Sequence, residues 1–558
     1  MLIPLIQAGF DTGSRHYSFA GVSSPSAWYS DQILSIGPIT REVPAVPGGY
    51  RISNTEVRFK NASGEFSKLR SETSWRNREF KILFGDVAQG LAGMTTIYTG
   101  KVFDYRITPQ ECRIVLRDAS FDLFRVQLGG WIDRIDFPNY PADRELFLKP
   151  IIYGAVSSSG ESATGAVPCY RADPAVGQAK FRYLVARHVC KSVVNAYKYG
   201  VLQATGFTVS TVLVGGVNHT FIDFDADPFD PARVSELEVT ADVQGITDDG
   251  TATGNLITNP VEQLEHYLKN YAGVTAAQIS NTLFDKASSN AASNGYTGGF
   301  SILAKDIKHE DVINRFVESY GMPFFVDRTG LFGAYLFSID DLTGIDSTTL
   351  FTDENDVVRG SFHVDGPEIV ASRLQYNWFY QWARQFFEKQ PDLIDTEQET
   401  ALAQDIRQNV NLWHVRQELT ARDLAEERLY LMRESQQVVH FDLPIRHYDQ
   451  DLNDYVRVTH FRGVGPSPGY SSTTVRLIRL NINVQPSSMR VSATGLRVFD
   501  TDDIWLRYIK LGDEAEISAD WTTASEADKQ FGYLGDEADP TGSPEGTLGA
   551  SDPIKLLC

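Results

Sequence analysis

The stretch 411–496 limits the possible folds more than any other part of the chain, because its apolar period changes once and stays changed. Ala421, Leu424, Ala425, Leu431 and Met432 recur at helical spacing, and Arg422, Asp423, Glu426, Glu427 and Arg433 fall on the opposite face. Thr420, followed three residues later by Asp423, reads as a capping-box-like helix start. After Ser435 the period is two. Val439, Phe441 and Leu443 share one side, and His440 and Asp442 take the other. Segments 455–461, 474–484 and 489–496 continue in this mode. In the longest of them the alternation slips by one residue between Leu477 and Ile478, and such a slip predicts a β-bulge.

The preceding chain divides into modules by composition and period. Residues 1–149 read as a β domain: 50–59 and 79–84 alternate, with Phe80, Ile82 and Phe84 on one face, and 95–105 and 113–117 supply two more strands. Turn signals separate them at Pro47-Gly48-Gly49, Asn61-Ala62-Ser63-Gly64 and Gly85-Asp86. Residues 150–258 form a second β-rich module. It opens with Leu-Lys-Pro-Ile-Ile-Tyr-Gly-Ala-Val at 148–156, passes a Gly/Ser-rich loop at 157–165, has mixed helical and strand character over 180–199, and ends in a strand and turn at 234–250.

Asn259-Pro260 starts a helix whose Val261, Leu264, Tyr267, Leu268 and Tyr271 share a face. A second helix over 313–320 and a hairpin turning at Asp327-Arg328-Thr329-Gly330 complete a small α+β unit, 259–345. Residues 346–500 read as helix plus antiparallel sheet. Within them Tyr376, Trp378 and Tyr380 alternate to one side and Phe379 to the other, a pattern of sheet core or subunit interface rather than of a ligand platform. The last segment, 501–558, carries 13 Asp or Glu against 4 Lys or Arg, a net of −9, and contains the near-repeat KLGDEAEIS and YLGDEADPT. With its Pro/Gly-rich end it reads as an extended acidic arm, either a solvated tail or a segment that wraps a neighbouring subunit or central spike.

In order, the phrases ISNTEVRFKNASGEFSKL, NREFKILFGD, TIYTGKVFDYRI, LKPIIYGAV, TNPVEQLEHYLKNYAGV and LNDYVRVTH resemble tail-tip or baseplate hub proteins of long-tailed, siphovirus-like bacteriophages. The resemblance covers patches of about 30–500. It implies a mainly β, multi-domain hub with α+β modules and small β-barrel-like domains. It further implies a homotrimer in the virion tail tip, made in the host bacterial cytoplasm. Such a hub joins the tail tube and distal tail protein to a central fibre or spike, and closes the DNA channel until ejection. A tail-associated cell-wall hydrolase and a receptor-binding tail fibre protein are the two alternatives.

Composition limits the chemistry. The net charge is −21 (51 Lys+Arg against 72 Asp+Glu), which lacks the cationic footprint that DNA binding needs; it suits equally a surface kept soluble by charge and a lumen through which genome DNA passes without specific binding. There is no GxSxG, Walker A, HExxH or GxGxxG motif, so no catalytic residue is nominated and the chain is not expected to be an enzyme. Asp223, Asp225 and Asp227 have the opening spacing of a calcium loop, but Pro228-Phe229 stands where the loop glycine belongs. Cys112, Cys169, Cys190 and Cys558 are scattered, without the tight spacing of a zinc module or of the iron–sulfur centre some phage hubs carry. Free thiols, no cofactor and no metal are expected. His440 and His447 read as surface or satisfied histidines. No run of about 18 apolar residues predicts a membrane span, and MLIPLIQAGFDTG lacks the basic leader of a signal peptide.

Overall fold

Alternation of buried and exposed residues dominates the fold. The computed structural model describes residues 2–498 apart from 11–12, 24–27, 45–52, 87–92, 138–147, 159–163, 173–180, 234–236, 304–306, 338–348, 434 and 462–468. The acidic segment 501–558, with its repeat and Cys558, lies outside them. Of the described residues 45% are strand and 19% helix, so the protein is mainly β.

Near the N-terminus, Leu2–Phe10 pairs with Gly13–Ser18 on one side and with Glu79–Asp86 on the other. Met94–Ile107 then links Glu79–Asp86 to Glu111–Arg117, which pairs with Asn54–Lys60. Phe80, Ile82 and Phe84 are fully buried, as their alternation predicts. The turn at Asn61 doubles as a helix start. Asn61 Oδ1 accepts from the Phe66 amide at 3.1 Å, and the helix Glu65–Glu72 lays Phe66 and Leu69 onto this sheet.

The C-terminal strands run Val438–Pro444, Arg490–Arg497, Tyr470–Asn483 and Tyr455–His460 in spatial order. Val439, Phe441 and Leu443 face the core. The register between Tyr470–Asn483 and Arg490–Arg497 shifts between Leu477 and Arg479, where the sequence alternation slips. These strands and the N-terminal ones belong to one 16-stranded sheet with one shared core.

A second core holds most of the middle of the chain. Its sheet runs, in spatial order, Val201–Gln203, Ser192–Lys198, Val239–Gln244, Val167–Arg171, Phe181–Ala186, Val217–Phe224 and Phe207–Val214. Laid flat, seven strands would put the outer two about 29 Å apart. Yet the chain passes from Gln203 to Phe207 across 204–206, a reach of at most about 14 Å. The sheet is therefore rolled, with its two edges side by side.

The helices pack around this core. Asn259 caps Pro260–Asn270 by accepting from the Val261 amide at 3.0 Å, and Val261, Leu264, Tyr267 and Leu268 are buried. Asn281–Ser293 and His309–Tyr320 follow, and Phe324–Val326 with Phe332–Ala334 form the hairpin expected at Asp327–Gly330. Among the described residues no helix is long and apolar enough to cross a membrane.

Three local expectations need correction. Among its described residues the 180–199 stretch has no helix: it forms the strands Phe181–Ala186 and Ser192–Lys198, whose inward residues complete the rolled sheet. The helix of the opening stretch is Glu418–Leu431, so Thr420 lies inside it and is buried rather than capping it. In Arg373–Gln381 the alternation breaks at Phe379, which adopts φ 59° and donates its amide to Val415 O at 3.2 Å. Tyr376 and Trp378 remain buried, within the second core.

The helix Glu418–Leu431 and the strands after it do not share a core. Ala421, Leu424, Ala425, Leu429 and Met432 pack into the second core, whereas Val439, Phe441 and Leu443 pack into the first.

Candidate functional site

The place where the two ends of the chain meet is built from a four-residue ladder. Ile39–Glu42 pairs antiparallel with Tyr470–Asn483, setting Ile39 opposite Ile482, Thr40 opposite Asn481, Arg41 opposite Leu480 and Glu42 opposite Arg479. The Val43 amide extends it to Ile478 O at 2.8 Å, and Gln485 Nε2 donates to Ile36 O at 2.7 Å. Period two puts Arg41 on the same face as Ile39 and Val43, both buried. A cation on an apolar face needs a partner, and the carboxylate of Asp451 supplies it. Asp451 Oδ2 also accepts from the Arg328 amide at 3.3 Å, so the hairpin turn is pinned to the same point.

The rolled sheet carries a second feature. Its edge hairpin, Phe207–Val214 with Val217–Phe224, turns at Gly215-Gly216, both with positive φ (58° and 82°), as a two-residue hairpin turn requires. Val212 and Val214 pack inward, while Val209 and Leu213 on the alternate face stand in solvent, Leu213 at 65% exposure. On the adjoining edge Val201 and Leu202 are exposed as well. Exposed apolar residues along a sheet edge offer a surface on which another chain can dock.

The Lys-Pro-Ile-Ile-Tyr-Gly motif is a packing junction. Lys149 is buried and paired with Asp136, and Pro150 O accepts from the Arg187 amide at 2.9 Å. The Tyr153 hydroxyl lies 2.7 Å from Nδ1 of His266, with its ring stacked on Phe300. Gly154 has φ 62°, and any Cβ there would run into the carbonyl oxygen of Gly298. Beside it, buried Asp242 accepts from the Ser158 amide (2.7 Å), Tyr197 Oη (2.8 Å) and Asn195 Nδ2 (3.0 Å), fastening the ends of the Gly/Ser-rich loop.

The residue types that suggested chemistry are mostly absorbed by structure. Asp223 lies within a strand, held by Arg182 at 2.7 Å and Ser210 at 2.6 Å, and is not the first ligand of a loop. Cys112 is in one core, and Cys169 and Cys190 are in the other. Burial pushes the Cys112 and Cys190 thiols up to about 12, which makes them inert. Burial also keeps several imidazoles neutral: His309, bonded to Tyr267 Oη at 2.7 Å, is pulled down to about 4. His447 pairs with Asp356 at 3.0 Å. His440 is different. It meets His363 and Asp365, a grouping that sequence reasoning missed because strand pairing creates it.

No protein-family model matches the chain, and no curated protein matches it. The chain is similar in structure to phage tail proteins. The 43 kDa tail protein of prophage MuSo2 from Shewanella oneidensis aligns over 89% of this chain and 98% of its own, with 9% identity and a TM-score of 0.41. The tail protein from Neisseria meningitidis MC58 aligns over 89% and 96%, with 8% identity and a TM-score of 0.40. A chain of the native gene transfer agent virion aligns over 63% and 84%, with 11% identity and a TM-score of 0.39. No side-chain role is carried over from any of them.

Proposed function

We propose that the chain is a structural hub of a bacteriophage tail tip or baseplate, without catalytic activity of its own. The observation that supports this most is the ladder between Ile39–Glu42 and Tyr470–Asn483. It sets two β modules from opposite ends of one chain edge to edge, so that each subunit offers two neighbouring units of a continuing sheet. Three such subunits would then present six units, matching a six-fold tube above and a three-fold fibre or spike below. In this reading the domains are 1–149, 150–258, 259–345, 346–500 and the acidic arm 501–558. Homotrimer contacts form along the exposed edges bearing Val209, Leu213, Val201 and Leu202. The acidic balance lets genome DNA slide past without sticking.

The test is assembly. Light scattering after size exclusion should give about three times the 62.2 kDa chain mass, and antibody labelling of virions should decorate the tail tip. A monomer at all concentrations together with unlabelled tips would overturn the proposal. Clearing of peptidoglycan by the purified chain would move it to the hydrolase class.

A further inference from the structure

Strand pairing gathers three side chains that are distant in sequence. His363 and Asp365 occupy alternate positions of the strand His363–Asp365 and share a face. That strand ends the 16-stranded sheet, and its His363 stands directly opposite His440 of Val438–Pro444. The two imidazoles stack with centroids 4.5 Å apart and planes 6° from parallel. Both Nε2 atoms converge on Asp365 Oδ2, from 3.2 Å for His440 and 4.0 Å for His363. The three ligand-type atoms all lie within 4.8 Å of one another.

The far side of each ring is also engaged. Nδ1 of His363 lies 3.2 Å from Ser361 O. A carbonyl only accepts, so this nitrogen carries the proton and the neutral ring presents a bare lone pair at Nε2. Nδ1 of His440 lies 3.0 Å from Thr494 Oγ1, which can accept in the same way. With both rings so arranged, two lone pairs lie side by side next to the carboxylate, with no donor among them. One proton would satisfy the 3.2 Å pair and leave His363 Nε2, at 4.0 Å, out of hydrogen-bond reach. A cation at the centre serves all three. Tetrahedral ligands about 2.0–2.1 Å from zinc stand about 3.3 Å apart. The His440–Asp365 pair already meets that spacing, and His363, exposed at the sheet edge, joins it by rotating its ring out of the stack so that its in-plane lone pair turns toward the shared centre. Outer hydrogen bonds that fix tautomer and ring orientation are how metal-bound histidines are held.

We infer that His363 Nε2, His440 Nε2 and Asp365 Oδ2 bind one divalent transition-metal ion of the zinc(II) type, with a further coordination position open to solvent. Two imidazoles with one carboxylate suit such an ion and disfavour calcium or magnesium, which take oxygen ligands. The ion staples the three-residue edge strand to its neighbour. The inference is independent of the hub reading.

The test uses the full-length chain, stripped with chelator and titrated calorimetrically with zinc chloride. One equivalent binds to the wild type. His440→Gln and Asp365→Asn lose that binding, Thr494→Val weakens it about 10–100-fold, and His447→Gln leaves it unchanged. Cobalt(II) in place of zinc gives visible ligand-field absorption that His363→Gln abolishes. Circular dichroism checks that each variant is folded. Equal zinc uptake by the wild type and the His363→Gln/His440→Gln double variant, or no uptake by the stripped wild type, overturns the assignment.

Discussion

Arg41 points into the apolar face of the seam between the two ends of the chain and ends against the carboxylate of Asp451. Its neighbours on that face, Ile39 and Val43, are buried. An inward charge of this kind makes the edge fit one partner and reject others. Asp451→Ala strands the guanidinium and should cost about 3 kcal/mol or more. Calorimetry should show this as an earlier loss of the N- and C-terminal sheet. An unchanged melting profile would mean that the pair does not hold the seam.

Gly154 gives the Lys-Pro-Ile-Ile-Tyr-Gly motif its physical meaning. Gly154→Ala forces both a left-handed residue with a side chain and a collision with the Gly298 carbonyl. The expected loss is about 3 kcal/mol, visible as a lower denaturant midpoint. Wild-type stability in this variant would show that the junction yields.

Acid should weaken the helical region first. His309 has a folded pKa of about 4 against 6.5 when free. Its neutral form is the one the fold holds, so its contribution is intact above pH 6.5 and is lost as pH falls toward 4. At pH 5 the unfolded chain takes up the proton and the folded one does not, which costs about 2 kcal/mol at this ring. His188 is shifted the same way by burial. Replacing His309 by Phe should flatten the stability–pH slope between pH 7 and 5; an equal slope would rule out this origin.

The exposed apolar face of the edge hairpin should matter for assembly and not for folding. Leu213→Lys leaves the inward residues Val212 and Val214 in place. It should keep the melting temperature within about 2 °C, as expected of surface substitutions, and should shift the scattering mass toward a smaller species. Unaltered assembly would place the interface elsewhere.

Much of the local structure was legible because local rules govern it. Asn259-Pro260 announces a capped helix, and the slipped alternation at Leu477 announces the bulge. Segment 180–199 was misread because its residues serve both periods until tertiary packing selects strand. The Phe379 kink left no trace in sequence, since an aromatic residue at positive φ is dictated by its neighbours. The pairing of His363 with His440, and that of Ile39–Glu42 with Tyr470–Asn483, join distant segments with no shared motif. Only the folded sheet brings those residues together.

The seam also sets an order of events during synthesis. Ile36 and Gln485, which it ties, are 449 residues apart. At about 5–20 residues per second the ribosome needs roughly 20–90 s to deliver the second after the first. Throughout that interval the nascent N-terminal sheet carries an unpaired strand edge, open to any other extended segment in the cell. Arg41 keeps a charge on that edge until Asp451 arrives, so the same arginine that closes the finished molecule guards the unfinished one.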